Sequence, residues 1–235
     1  MKIRFSSQRI FRTHLTVIAA LVCAHLIVHI GRLVTGTRTF YGLEPIFGLN
    51  FENNVPTLFS AVAMIAAAGL LSVTAQREQK ASGRYARHWR LLSALFVFLA
   101  IDESISLHER LNAPTHHLLG TAGRFTFAWV IPYGLITVAL ALSLIPFLRE
   151  LESRTRRDLI TSGAVYVGGA LIVELLGGLI WEAKGRASRA YFLEITIEES
   201  LEMLGIALFV RAIIAHNERR LTSTLALPRA SESSR

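Results

Sequence analysis

The sequence predicts an all-α protein: one bundle of six transmembrane helices with both termini in the cytoplasm. Three observations carry that expectation. The chain is 52% apolar with a positive mean hydropathy. Six apolar runs, at about 13–34, 56–75, 90–108, 126–148, 159–182 and 191–215, each approach the ~20 residues that a helical span needs. Lysine and arginine cluster between alternate runs.

The charge count sets the orientation. With six spans, the N-terminus, the 76–90 loop, the 149–158 loop and the segment from Arg211 onward share a side with 18 Lys and Arg, against seven on the other side. Short loops rich in Lys and Arg stay in the cytoplasm. Lys2, Arg4, Arg9 and Arg12 precede an apolar run too long for a signal-peptide core, so it reads as an uncleaved first span. The net charge of +8 and pI near 10.4 thus belong to the membrane pattern, with lipids and not nucleic acid as partners. The single cysteine, Cys23, excludes an intrachain disulfide and a Cys-rich zinc site. Residues 1–218 read as one transmembrane domain, and the polar, Ser-rich tail 219–235 as disordered.

Helix phase places the polar residues. In the first run His25, His29 and Arg32 share a face. Pro56 opens the second. A continuous third helix puts Asp102, Ser106 and Glu109 on one face, with Glu103 at its edge. His108 is then about 120° from Asp102 and ranks below Glu109 as a ligand. An end near Ser104 would instead leave His108 and Glu109 in an outer loop. The fourth helix is expected to kink at Pro132 and to close at Pro146. In the fifth, Glu174, Gly178 and Glu182 share a face, and Gly177 and Gly178 allow close helix approach. In the sixth, Glu194, Glu198 and Glu202 fall within about 80° of arc, with Glu199 about 60° beyond.

Depth brings these stripes to one level. At about 1.5 Å per residue, Asp102 lies ~18 Å above Arg90, and Glu198 and Glu202 ~10 and ~17 Å below Tyr191. Asp102, Glu103, Glu174, Glu194, Glu198, Glu199 and Glu202 face only Arg32 and Arg110 as cations at that depth. A central acid costs roughly 2.5–3.5 kcal/mol to insert. Metal, protons or a water-filled cavity must compensate them. Glu and His projecting from facing helices are the ligand inventory of di-iron and di-manganese bundles. Oxygen donors alone suit magnesium or calcium. The Glu-x-x-His pairs of soluble di-metal bundles are absent.

Milder readings stand beside these. The helix-six acids could form a solvated vestibule. His25 and His29 could hydrogen-bond between helices. His14 reads as interfacial and His116–His117 as a loop pair. Trp181 and Glu182 could be an interfacial belt, and Glu44, Glu52, Asn53 and Asn54 could cap the cavity.

The strings Ala-Ile-Asp-Glu-Ser-Ile-Ser-Leu-His-Glu-Arg-Leu (100–111) and Glu-Glu-Ser-Leu-Glu-Met-Leu-Gly (198–205) resemble a family of uncharacterised bacterial polytopic membrane proteins. Phe-Ala-Trp-Val-Ile-Pro (127–132) and Val-Glu-Leu-Leu-Gly-Gly (173–178) share the likeness. It implies an inner-membrane location and no particular activity. The zinc-dependent membrane hydrolases related to alkaline ceramidase are a poor match, because their late His pair is missing here.

The leading expectation is a metal-dependent membrane enzyme acting on a lipid or other apolar substrate. Its ligands are Asp102, Glu103, Glu109, Glu174, Glu198 and Glu202, with His25 and His29 as further candidates. Glu199 is the general base. The divalent metal is iron, manganese, zinc or magnesium. The alternatives are a cation- or proton-coupled transporter or channel using the same acids, and a membrane assembly subunit. Substrate and oligomeric state are open.

Overall fold

Runs of Leu, Ile, Val and Ala form long rods, and Gly, Pro and polar residues mark their ends. The computed structural model describes residues 6–81, 83–120 and 126–226. Among the described residues every regular element is helical: α1 (Ser7–Thr35), α2 (Glu44–Phe47), α3 (Val55–Lys80), α4 (Ala86–Ile105), a 3-10 turn (Glu109–Leu111), α5 (Asn112–Leu119), α6 (Val130–Glu150), α7 (Ser153–Val167), a π-helical segment (Gly168–Val173), α8 (Glu174–Lys184) and α9 (Arg189–Ala226). Four rods, namely α1, α3, α6 and the continuous Ser153–Lys184, are long and apolar enough to cross a membrane. The α4 helix with its bent continuation 109–119 makes a fifth if the pair counts as one span. The 38-residue α9 is interrupted by Glu194, Glu198, Glu199, Glu202 and Arg211.

The rods turn apolar faces outward. Ile27, Ile30 and Leu33 of α1, Leu58 and Val62 of α3, and Leu135, Ile136 and Leu142 of α6 are all exposed, while His25, Asp102 and Glu194 are buried. Helix α9 is the central post, packed against α1, α3 and α7. Its first half joins Ile18, Leu21 and Leu49. Its second half joins Met64, Leu71, Trp89, Phe96 and Phe147. The α3–α4 pair packs along its length, and Ser93 Oγ donates to the Ala68 carbonyl at 2.8 Å.

The α7–α9 seam is close because it lacks side chains at two points. A Cβ at Gly205 would lie 2.7 Å from the backbone N and Cα of Tyr166. A Cβ at Gly169 would lie 3.0 Å from the Glu198 carbonyl oxygen.

Polar ties gather the chain's basic segments at one end. Ser7 donates through N and Oγ to Glu218 at 3.2 and 2.9 Å. Arg219 donates to Glu152 at 3.0 Å and to Thr155 at 2.7 Å, and Arg220 pairs with Glu78. These ties explain one correction. Residues 219–226, expected in a disordered tail, continue α9, where Arg219 is anchored to Glu152 just before α7 and Arg220 to Glu78 in the last turn of α3. Residues 227–235 lie outside the described residues, as do Lys2, Arg4 and Arg124.

Two helix expectations also change. The α4 helix stops at Ile105, because Ser106 takes a left-handed conformation (φ 52°), and the chain then bends by 77°. Asp102, Ser106 and Glu109 therefore do not share a helical face. Pro132 sits in the first turn of α6, where its missing N–H is unneeded, so it makes no kink; Pro146 lies inside the helix.

The seam yields a stability test. Gly205→Ala forces overpacking against backbone and should cost about 1–3 kcal/mol. Gly163→Ala in α7, with open space at its Cβ, should be near neutral. Thermal melting of the protein in detergent reads both. Equal melting of Gly205→Ala and the unaltered chain would contradict the seam.

Candidate functional site

The end of α4 builds the first wall. The Asp102 carbonyl accepts the Ser106 N–H, closing the helix. Its carboxylate Oδ1 accepts the His108 backbone N–H at 2.7 Å and meets His108 Nδ1 at 3.3 Å. Asp102 thereby turns the chain and draws in the His108 ring. The phase estimate ranked His108 below Glu109, because it assumed an unbroken helix.

The loop before α3 supplies the second wall. Asn54 does not cap the cavity; its Oδ1 accepts from Thr57 N at 3.0 Å, starting α3. Its Nδ2 donates to the Gly48 and Phe51 carbonyls, both at 2.7 Å. That clamp, with Asn53 left-handed (φ 59°), turns Glu52 toward His108 and Glu109. Candidate ligand atoms of Glu52, His108 and Glu109 lie within 4.8 Å of one another.

Helices α8 and α9 supply the third wall. Ligand atoms of Glu174, Glu194 and Glu198 also lie within 4.8 Å of one another. Trp129 Nε1 donates to Glu174 at 3.3 Å, and the Trp129 backbone N–H is held by Asn112 Oδ1 at 3.1 Å. The His108 ring rests against Trp129 with centroids 4.5 Å apart. Glu194 is only 6% exposed; among the described residues no amide, hydroxyl or ring N–H donor reaches its carboxyl oxygens, and its hydrogen-bonding neighbour is the Glu198 carboxyl group. Its carboxyl group packs directly on Gly177, where a Cβ would collide with it.

These walls enclose a cavity of about 130 Å³. Eight carboxyl groups line it: Glu52, Asp102, Glu103, Glu109, Glu174, Glu198, Glu199 and Glu202. Among the described residues, His108 is the only basic one in the lining. Tyr133 and Tyr166 add hydroxyl groups. In the loops, burial raises the Glu52 pKa, although much of that residue is exposed. Burial alone would lower His108. Its hydrogen bond and attraction to Asp102, with Glu52 and Glu109, reverse that and raise its pKa.

Seven sequence candidates thus meet in one cavity: Asp102, Glu103, Glu109, Glu174, Glu198, Glu199 and Glu202. His25 and His29 do not join them; they line a separate cavity. Both ring nitrogens of His25 are engaged. Nδ1 accepts the Leu49 N–H at 3.1 Å, and Nε2 lies 3.3 Å from the Thr196 hydroxyl, which itself donates to the Phe192 carbonyl. His25 therefore works as an interhelical hydrogen-bonding group and has no lone pair left for metal. His29 stacks on Phe192. Glu44 pairs with Arg32, and Glu182 accepts from the backbone N–H and hydroxyl of Thr126.

Sequence reasoning missed Trp129, Tyr133 and Tyr166, and underweighted Glu52 and His108. Trp129 lies in the 127–132 stretch that carries the family likeness. Tyr166 carries no sequence signal, because its place depends on the glycine seam.

Asp102 offers a direct test of the first wall. Asp102→Ala removes both contacts to His108 and should cost about 1.5–3 kcal/mol. Asp102→Asn keeps an acceptor for the His108 N–H and should cost less. Melting curves in detergent separate the two, and equal losses would contradict the assigned turn.

No curated protein and no solved structure matches the chain. A family model described as a domain of unknown function (DUF8692) matches residues 14–216. That range covers most of the chain and every residue lining the acidic cavity. The chain therefore belongs to the DUF8692 family.

Proposed function

We propose that the chain is a six-span protein of a bacterial inner membrane whose acidic cavity holds divalent metal and acts on a lipid or other apolar substrate. The outward apolar faces of α1, α3 and α6 support the membrane assignment. The ties of Ser7, Glu78 and Glu152 to the end of α9 support the topology. They join the four Lys- and Arg-rich segments at one end, which the charge rule assigns to the cytoplasm.

The observation that carries the metal reading is Glu194. Among the described residues its buried carboxyl group meets no amide or hydroxyl donor and lies with the carboxyl groups of Glu174 and Glu198, so its ionised form is costly. A divalent cation shared by Glu174, Glu194 and Glu198 removes that cost. Glu52, His108 and Glu109 form a second three-ligand group on the same cavity. The mixed oxygen and nitrogen donors suit manganese, iron or zinc, and the all-carboxylate group also suits magnesium. Glu199 lines the cavity without belonging to either group and takes the general-base role.

Metal analysis tests this reading. Full-length protein purified without chelator should carry about one divalent ion or more per chain. Glu198→Gln should lower that content several-fold, and Gly177→Ala should do the same by displacing the Glu194 carboxyl. Metal-free protein, or content unchanged in both variants, would sink the proposal.

A second reading rests on Glu103, Glu199 and Glu202, which extend the acidic lining beyond both three-ligand groups. Such a row suits passage of protons or cations. Reconstituted protein should then carry proton or divalent-ion flux down a gradient, abolished by Glu202→Gln. Liposomes that stay tight rule this reading out and leave the metal site as the function.

A further inference from the structure

A second cavity, of about 260 Å³, lies between α1, the loop around α2 and the start of α9. Its charge is opposite to that of the first. Arg32, Arg186, Arg189 and His29 line it against one carboxylate, Glu44, which is engaged by Arg32. Among the described residues neither Arg186 nor Arg189 forms an ion pair.

The surroundings orient these cations. The Arg186 guanidinium stands over the Trp181 ring, 5.0 Å from its centroid. His29 is stacked on Phe192 with centroids 3.6 Å apart. Ser188 sits at the start of α9: its Oγ accepts the Tyr191 N–H at 3.3 Å and its carbonyl accepts the Phe192 N–H at 3.1 Å. Those two N–H groups are thus engaged, and the first turn of the 38-residue helix borders the cavity with the positive end of its dipole. Leu33, 67% exposed, forms part of the rim and joins the cavity to the outward apolar face of α1.

Two arginines without an ion pair among the described residues, an imidazole and a helix N-terminus border one cavity. A planar carboxylate satisfies one such fork, whereas a tetrahedral phosphate offers oxygens to several donors together. We propose that this cavity binds a phosphate group, carried either by a free anion or by a lipid headgroup. The site stands apart from the metal reading, since it shares no lining residue with the acidic cavity.

The test uses full-length protein in a non-ionic detergent and titration calorimetry. One arm adds inorganic phosphate, a second short-chain phosphatidic acid, and a third short-chain phosphatidylcholine. Phosphate or phosphatidic acid should bind, and Arg186→Gln with Arg189→Gln should weaken that binding at least about tenfold, as loss of charge-assisted contacts implies. Lys184→Gln, an exposed change outside the cavity lining, should leave it unaltered. Phosphatidic acid binding more than about tenfold tighter than phosphate assigns the site to a lipid headgroup; equal binding assigns it to free phosphate. Binding of neither ligand, or full binding by the double arginine variant, overturns the proposal. Because both arginines are exposed, their replacement leaves the packed core intact.

Discussion

Carboxyl groups gathered in one enclosed space repel one another, and a wall of apolar helices gives that repulsion little water to dissipate it. Among the described residues eight line the acidic cavity, Glu194 lies against Gly177 beside Glu174 and Glu198, and a single imidazole, that of His108, joins the lining. Burying even one carboxylate unpaired costs several kcal/mol, so the arrangement calls for protonation, water or bound cations. Much of the local architecture serves that compensation. Asp102 turns the chain so that His108 reaches the cavity. Trp129 donates to Glu174, and Asn112 holds Trp129.

Helix α9 organises both cavities. Its first turn, with Ser188 and Arg189, opens on the basic cavity. About two and a half to three and a half turns beyond Arg189, Glu198, Glu199 and Glu202 face the acidic one. Arg189 and Glu194 are five residues apart, about 7.5 Å of helix rise. Tyr191, which is buried and lines the basic cavity, and Glu194, which is buried at the edge of the acidic one, stand between them. The two fields are thus adjacent along one element without sharing a lining side chain. A phosphate-bearing apolar molecule seated at the helix start would lie close to the carboxylate site.

The acidic cavity also depends on contacts that carry no charge. Gly205 and Gly169 bring α7 and the π segment against α9, so that Tyr166 and Glu202 line the same space. The π segment changes the phase between α7 and α8 and decides which face of α8 carries Glu174 inward. Each is a backbone constraint, and each acts by letting helices approach where a side chain would hold them apart.

Composition and periodicity alone determined the helical class, the apolar rods and the shared level of the acids on the third, fifth and sixth runs. Those are properties of residue type and of 3.6-residue spacing, which any helix of this sequence must express. Phase arguments held for Glu198, Glu199 and Glu202, because α9 is unbroken through them. They failed for His108, because a left-handed Ser106 ended α4 and the carboxylate of Asp102 redirected the chain. His25 and His29 share the first run's polar face, yet the tertiary structure sends them to the other cavity, where His25 is saturated by Leu49 and Thr196. Spacing along one helix says which residues point together. Which neighbour they meet, and whether their lone pairs remain free, is decided only when distant segments such as Glu52, Trp129 and Tyr166 are packed around them.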